Sequence, residues 1–257
     1  MKTIIVSGSF DDLRSHHIRL LEEASKLGEL HVLLWSDPLA GHPKFAEAER
    51  RYLVDAIRYV AGVRVVHTPF DVGTLKPDLW VTDGSPATAC PAAGADCRVL
   101  TGRDLAGFPI PAPAPAQTLP GRKKVIVTGC YDWFHSGHVR FCEEVSELGD
   151  LYVCIGSDAN VGFLKGPGHP LFRQEERRYV VGSLRTVKEC LVSTGMGWMD
   201  AEPEIRRIKP DLYAVNEDGD KPEKREFCKT HGLQYVILKR TPKEGLTRRS
   251  STGLRGF

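Results

Sequence analysis

Apolar residues recur in two rhythms along this chain, and the rhythms alternate. In the second half, Lys124–Thr128 is a short β-branched run that predicts a buried strand. Val139, Cys142, Val145 and Leu148 follow at helical spacing, with Gly149 as a stop, which predicts a helix over Val139–Leu148. The alternation continues with a strand at Leu151–Ile155, a charged amphipathic helix at Gln174–Leu184 and a short helix at Glu202–Ile208. A strand at Leu212–Val215, a helix at Glu223–His231 and a strand at Tyr235–Leu238 complete it. Such a pattern predicts an α/β fold, a parallel sheet with helices on both faces. Ligands of these sheets bind at the carboxyl ends of the strands.

The pattern also repeats. Val6–Asp37 lies on Val127–Asp158 without a gap, and nearly half the positions are identical, among them Gly8/Gly129, Asp11/Asp132, His17/His138 and Arg19/Arg140. The match resumes at Gly41–Phe45 on Gly168–Phe172, Glu49–Tyr52 on Glu176–Tyr179, and Lys76–Leu79 on Lys209–Leu212. Order-preserving identity of this extent means two copies of one domain. Between them runs a Pro/Ala-rich stretch, whose composition favours an extended spacer. The expected organisation is a first domain at 1–107, a linker at 108–121 and a second domain at 122–257.

Composition narrows the function classes. Hydrophobic residues make up 41% and charged residues 26% of the 257 residues, the balance of a soluble globular protein. The 35 Lys and Arg against 33 Asp and Glu leave a net charge of +2, which gives no reason to expect nucleic acid or an anionic membrane as partner. No apolar run approaches the ~18–20 residues that cross a bilayer, and Met1–Gly8 reads as a strand rather than a signal peptide. The 7 cysteines are odd in number and scattered, with no C-x-x-C, so neither a disulfide framework nor a structural zinc site is expected. A cytoplasmic location is the expectation that follows.

The chemistry concentrates after the first strand of the second copy, in Gly129-Cys130-Tyr131-Asp132-Trp133-Phe134-His135-Ser136-Gly137-His138. Two histidines stand at the mouth of a helix, where free N–H groups and positive potential favour phosphate. Gly137 removes a side chain where a ligand would approach.

This segment resembles the H-x-G-H signature of the nucleotidyltransferase superfamily, and of its cytidylyltransferases in particular. Lys165-Gly166-Pro167 and Phe172–Arg177 are similar to a loop and helix start of the ethanolamine-phosphate and choline-phosphate cytidylyltransferases. Arg240-Thr241 and Arg249–Thr252 resemble that family's closing element. The tandem arrangement resembles ethanolamine-phosphate cytidylyltransferases, which carry two such domains. The resemblance implies two Rossmann-like domains that pair as an intramolecular pseudodimer. It implies transfer of CMP from CTP to a phosphorylated alcohol with release of pyrophosphate. An adenylyltransferase acting on a phosphorylated small molecule, or a nucleotide sensor without turnover, remains open.

For such a reaction, positioning and electrostatics supply most of the catalysis. The resemblance gives His135, His138 and Lys165 catalytic contacts to the triphosphate, with Lys165 reaching in from a Gly/Pro loop. Gly129, Tyr131, Asp132, Gly137, Arg240, Ser250, Ser251 and Thr252 are the implied nucleotide-binding residues, the last three opening a short final helix. Arg177 and Arg185 are candidates for the substrate phosphate. Mg²⁺ is expected with the triphosphate, without a fixed protein metal site. Two departures stand out: Lys188 takes the place of an acidic residue, and an acidic turn spans Asn216–Asp220. In the first copy, Arg14 replaces His135, His16 replaces Gly137, and nothing aligns with Lys165 or the Ser-Ser-Thr element. That copy is expected to be catalytically silent.

Overall fold

The computed structural model describes residues 1–91, 94–111, 121–251 and 253–254. The chain forms two compact units, Met1–Phe108 and the part from Pro109 onward. Most of the Pro/Ala-rich linker lies outside the described residues.

The first unit contains β1 (Thr3–Gly8), α1 (Ser15–Ser25), β2 (Glu29–Trp35), α2 (Asp37–Ala40) and α3 (Glu47–Asp55). Next come β3 (Gly62–Val66), β4 (Leu79–Thr82), β5 (Thr88–Ala89) and β6 (Cys97–Val99). The sheet order is β3-β2-β1-β4-β6, all parallel. The exception is β5, which pairs antiparallel with the end of β1 through Ser7↔Ala89 and Gly8↔Thr88. Cys90 and Cys97 form a disulfide. This corrects the expectation from cysteine spacing: Cys90 directly follows β5 and Cys97 opens β6, a placement that the spacing does not reveal.

The second unit contains β7 (Lys124–Gly129), α4 (Ser136–Leu148), β8 (Asp150–Ile155), α5 (Asp158–Lys165), α6 (Gln174–Gly182) and β9 (Val187–Val192). It continues with α7 (Glu202–Ile208), β10 (Leu212–Asn216), α8 (Pro222–His231) and β11 (Gln234–Leu238). Its sheet is β11-β10-β7-β8-β9, wholly parallel. Both units therefore have the parallel α/β architecture that fits a Rossmann-like fold. On one face, Ile126, Cys154, Tyr213 and Val215 pack under Ile205 and Ile208 of α7 and Phe227 and Cys228 of α8. That burial is the main source of cohesion between the sheet and these helices.

Two elements depart from the sequence pattern. Lys165 is the last residue of α5, not part of a loop; Gly162 inside this helix and the Gly-Pro-Gly after it hide the helical signal. β9 is an edge strand, so its Lys188 and Glu189 are only half-buried and break the apolar run. The Lys188 ammonium pairs with the Asp150 carboxylate on neighbouring β8, which accounts locally for the change of charge at this position.

A buried arginine fastens each unit in the same way. Arg177 donates from Nε to the Phe172 carbonyl (2.8 Å), from Nη1 to the Cys130 carbonyl (2.7 Å) and from Nη2 to Asp158 Oδ1 (2.7 Å). Arg50 donates to Phe45 O (2.9 Å), Ser9 O (2.5 Å) and Asp37 Oδ1 (2.7 Å), the corresponding acceptors. A carboxylate completes each frame. Asp132 Oδ1 accepts from Leu171 N (2.7 Å) and Phe172 N (3.1 Å). Asp11 accepts from Lys44 N (2.9 Å) and Phe45 N (3.0 Å). These bonds tie the loop after the first strand to the start of the helix that carries the arginine.

Candidate active site

The loop after β7 delivers the two histidines at the carboxyl end of the sheet. His135 is the N-cap of α4, and its Nδ1 accepts from Gly137 N at 3.1 Å. His138 Nδ1 accepts from His135 N at 3.3 Å. The two rings stack with centroids 3.9 Å apart. A backbone N–H is only a donor, so each Nδ1 offers a lone pair and each neutral ring carries its proton on Nε2. The rings are held neutral. Burial, followed by Arg240 and Arg249, lowers His135 to about 3. Burial, then His135, Arg240 and Lys165, holds His138 well below its ordinary value. His135 Nε2 is buried and without a hydrogen-bond partner among the described residues. A buried donor without a partner costs about 1–3 kcal/mol.

The two glycines of the loop serve its own side chains. A Cβ on Gly137 would lie 3.0 Å from the His135 ring, so the room there is taken by imidazole, not by an approaching ligand. A Cβ on Gly129 would lie 2.8 Å from Tyr131. Tyr131 adopts a left-handed backbone with φ of 53° and packs against His138 at 5.0 Å between centroids. Tyr131 and Asp132 are both buried and support the loop from beneath.

The carboxyl-terminal segment lies over the start of α4. Arg240 donates to the Asp218 carboxylate and to the Arg249 carbonyl (3.0 Å). The acidic turn is engaged by the chain's own basic residues, since Asp220 also accepts from Arg225 Nε (2.8 Å) and from Tyr235 (2.9 Å). Ser251 Oγ donates to the Trp133 carbonyl at 3.1 Å, which joins this segment to the histidine loop. Ser250 Oγ accepts from Gly253 N at 3.1 Å, and Leu254 N donates to Ser250 O at 3.2 Å. The expected helix opening at Ser250 falls largely on residues outside those described, Thr252 among them.

Beside the histidines, the carboxyl ends of β7 and β8 open into a cavity of about 120 Å³, walled in part by Cys130, Asn160, Lys165, Trp198, Asp200 and Lys224. Lys165 is therefore brought to the site. Lys224 is buried and donates to Thr128 Oγ1 and Gly219 O, both at 3.3 Å, and burial lowers its pKa. Burial also raises the Cys130 thiol, with Lys165 and Arg177 pulling the other way. Asp200 Oδ2 accepts from Ser193 Oγ at 2.6 Å. Sequence reasoning missed Asn160, Trp198, Asp200 and Lys224. A tryptophan directly after Gly195-Met196-Gly197 was the one available signal.

The two candidate phosphate arginines are not brought together. The donors of Arg177 are committed to protein acceptors. Arg185 is exposed and precedes β9, whose first residue pairs with Leu151 near the start of β8. It therefore stands at the amino ends of the strands, a strand length from the histidines.

Residues 126–245 match the cytidylyltransferase-like family. A FAD synthase of Ferroglobus placidus is 36% identical over 125 residues, which are 48% of this chain and 78% of that protein. The chain belongs to the cytidylyltransferase-like family. The chain is also similar to bifunctional HldE proteins. That of Gluconobacter oxydans is 30% identical over 131 residues, 50% of this chain and 27% of that protein. That of Trichlorobacter lovleyi is 40% identical over 105 residues, 40% of this chain and 21% of that protein. The chain thus spans most of the FAD synthase and about a quarter of each HldE protein. The family match lies wholly within the second unit of this cytidylyltransferase-like chain. Among the described residues, no helix is long and apolar enough to cross a membrane.

Proposed function

We propose that the second unit transfers a nucleotidyl group from a nucleoside triphosphate to a phosphorylated small molecule, and that the nucleotide is ATP. The observation that carries this reading is the stacked pair of neutral imidazoles with Nε2–H donors, one of them buried without a partner. An acceptor phosphate oxygen forms a bond to the α-phosphorus while the bond from that phosphorus to the pyrophosphate bridging oxygen breaks. Negative charge grows on the bridging oxygen. Neutral donors aimed there stabilise it without a proton leaving the enzyme. Arg240, Arg249 and Lys165 supply positive potential around the pair, and Lys165 and Lys224 suit the cavity to the acceptor phosphate. Ser250 and Ser251 hold the terminal segment over the triphosphate, and Thr252 is assigned the same task by its position. Gly129, Tyr131, Asp132, Gly137 and Arg177 shape the loop from below rather than touch phosphate. Arg185 has no part in the transfer.

The similarity to a protein named FAD synthase supports adenylyl transfer, since that product contains an adenine nucleotide. The second reading, CMP transfer from CTP to a phosphorylated alcohol, is favoured by the closing-element motif around Arg240 and Ser250. Among the described residues no group of three His, Cys, Asp or Glu side chains converges as a metal set. A Mg²⁺ ion is proposed to accompany the triphosphate, drawing its ligands from phosphate oxygens and water. When bound, it neutralises charge on the triphosphate. The first unit, which has Arg14 in place of His135, is assigned a silent role.

The test is pyrophosphate release from each of four nucleoside triphosphates. Acceptors would be flavin mononucleotide, phosphoethanolamine, glycerol phosphate and sugar phosphates, with and without chelator. ATP is expected to serve and chelator to stop turnover. His135→Ala and His138→Ala are expected to lose about 10²–10³ in rate. Near-normal turnover in both variants would sink the assignment. Nucleotide binding with no release under any condition would leave a sensor instead of an enzyme.

A further inference from the structure

The two copies differ at one position in a way that bears on what the cavity admits. In the register that lays Val6 on Val127, Gly156 of the second unit meets Trp35 of the first, and Thr128 meets Ser7. Gly156 and Thr128 both line the second unit's cavity, at the carboxyl ends of β8 and β7. In the first unit the same two places are joined. Trp35 Nε1 donates to Ser7 Oγ at 2.8 Å, and Ser7 Oγ donates to the Pro69 carbonyl at 2.6 Å. The Trp35 ring also packs on the cluster of Ile5, Leu33, Val66 and Trp80. Ile126 and Cys154, the counterparts of Ile5 and Leu33, lie in the second unit's core two residues before Thr128 and Gly156 along the same strands, hence on the same face of the sheet. An indole therefore fills the first unit at the level where the second unit is open.

A second closure accompanies the first. Ala87 O accepts from Ser9 N at 3.0 Å, and β5 then runs along the end of β1. The first unit's strand end is thus covered by its own chain, whereas Gly129 and Cys130 in the second unit face the cavity.

We propose that residue 156 decides admission to the carboxyl-end cavity, Gly156 leaving it open to a phosphorylated acceptor and Trp35 sealing its counterpart in the first unit. The proposal rests on the acceptor reading of the cavity given above. It makes Gly156 a specificity-determining position that acts through space and not through contact. A side chain there enters the volume beside Val161 and Asp200, since a Cβ would stand 2.9 Å from Val161 Cγ2 and 3.5 Å from Asp200 Oδ2. It also predicts that the first unit binds no phosphorylated acceptor.

The test uses the full chain and the thiol of Cys130, which lines the cavity. Of the five free cysteines, Cys130 is the partly exposed one, and Cys142, Cys154, Cys190 and Cys228 are buried. Labelling by methyl methanethiosulfonate at alkaline pH, read by mass spectrometry, measures access to the cavity independently of turnover. In the unsubstituted chain Cys130 is expected to react, and inorganic phosphate is expected to protect it. In Gly156→Trp, Cys130 is expected to stay unlabelled over the time in which it reacts fully in the unsubstituted chain. ATP binding by calorimetry should persist. Gly156→Leu, a smaller intrusion that Val161 can meet by turning, is the variant to read if the tryptophan does not fold, and it should slow labelling in the same direction. Undiminished labelling in a folded variant overturns the proposal at the level of geometry. Blocked labelling in the variant, with no protection by inorganic phosphate in the unsubstituted chain, overturns it by removing the acceptor from the cavity.

Discussion

Acid should weaken this protein through His135, by an amount that one substitution removes. The ring is 1% exposed, and burial holds it near a pKa of about 3 against an ordinary 6.5. The unfolded chain therefore takes up the proton first. Stability from this group is present above pH 6.5 and falls as the pH drops towards the folded value, at about 1.4 kcal/mol per pH unit. Between pH 7 and pH 5 the loss amounts to about 2 kcal/mol, a large share of an ordinary domain's ~5–15 kcal/mol. His135→Asn isolates it, because asparagine is a favoured N-cap and can accept from the helix start as Nδ1 does from Gly137. Urea unfolding of both chains at pH 7, 6 and 5, followed by circular dichroism, gives the comparison. The unsubstituted chain should lose about 2 kcal/mol more than the variant over this range. An equal loss in both would show that the ring is not held neutral by the fold, and the tautomer assignment on which the phosphate contacts depend would fall with it.

Two further outcomes are expected. Arg177→Met should destabilise the second unit by about 3 kcal/mol, three hydrogen bonds at ~1 kcal/mol each, and lower turnover. Arg50→Met should cost the first unit a similar amount and leave pyrophosphate release intact, so thermal unfolding and turnover of the two variants separate frame from chemistry. A chain that ends before Lys123 should release no pyrophosphate from any triphosphate, and release by it would refute the silent role of the first unit.

What was legible in the sequence follows from what each feature depends on. The strands and most helices were legible because burial on one face leaves a periodic trace: Glu202–Ile208 is a helix over the span its pattern predicts. α5 left no such trace, because five of its eight residues are small or polar, Gly162 among them. β9 was hidden by its place at the sheet edge. The histidine loop was legible because its residue types are rare together. The cavity was not, because it is assembled from α5, the stretch around Trp198 and one face of α8, far apart in sequence. Lys224 on α8 looks like any charged residue on a surface helix. Nor does residue type tell that all three guanidinium nitrogens of Arg177 are engaged by protein acceptors.

The repeat supplies the means to tell frame from function without any other protein. Asp11 and Asp132 accept from corresponding backbone groups, and Arg50 and Arg177 bind corresponding acceptors. These residues perform the same service in a unit that has lost the N-cap histidine and in one that keeps it. Their role is therefore to hold the loop, whichever chemistry the loop carries. His17 makes the same point from the other side. Its Nδ1 accepts from Arg14 N at 3.1 Å as that of His138 accepts from His135 N, and burial again lowers it to about 3. A neutral, oriented imidazole is thus retained in the first unit, yet Arg14, its N-cap neighbour, turns its guanidinium to Asp12 at 2.8 Å. His16, at the place of Gly137, sets a second ring 3.9 Å from His17, but that ring is tilted by 40° and is not at the N-cap, so the His135–His138 arrangement is not reproduced. The features confined to the second unit are the N-cap imidazole of His135, Lys165, the terminal segment bearing Ser250 and Ser251, and the gap left by Gly156. It is to these residues, and not to the shared arginine and aspartate, that transfer chemistry is assigned.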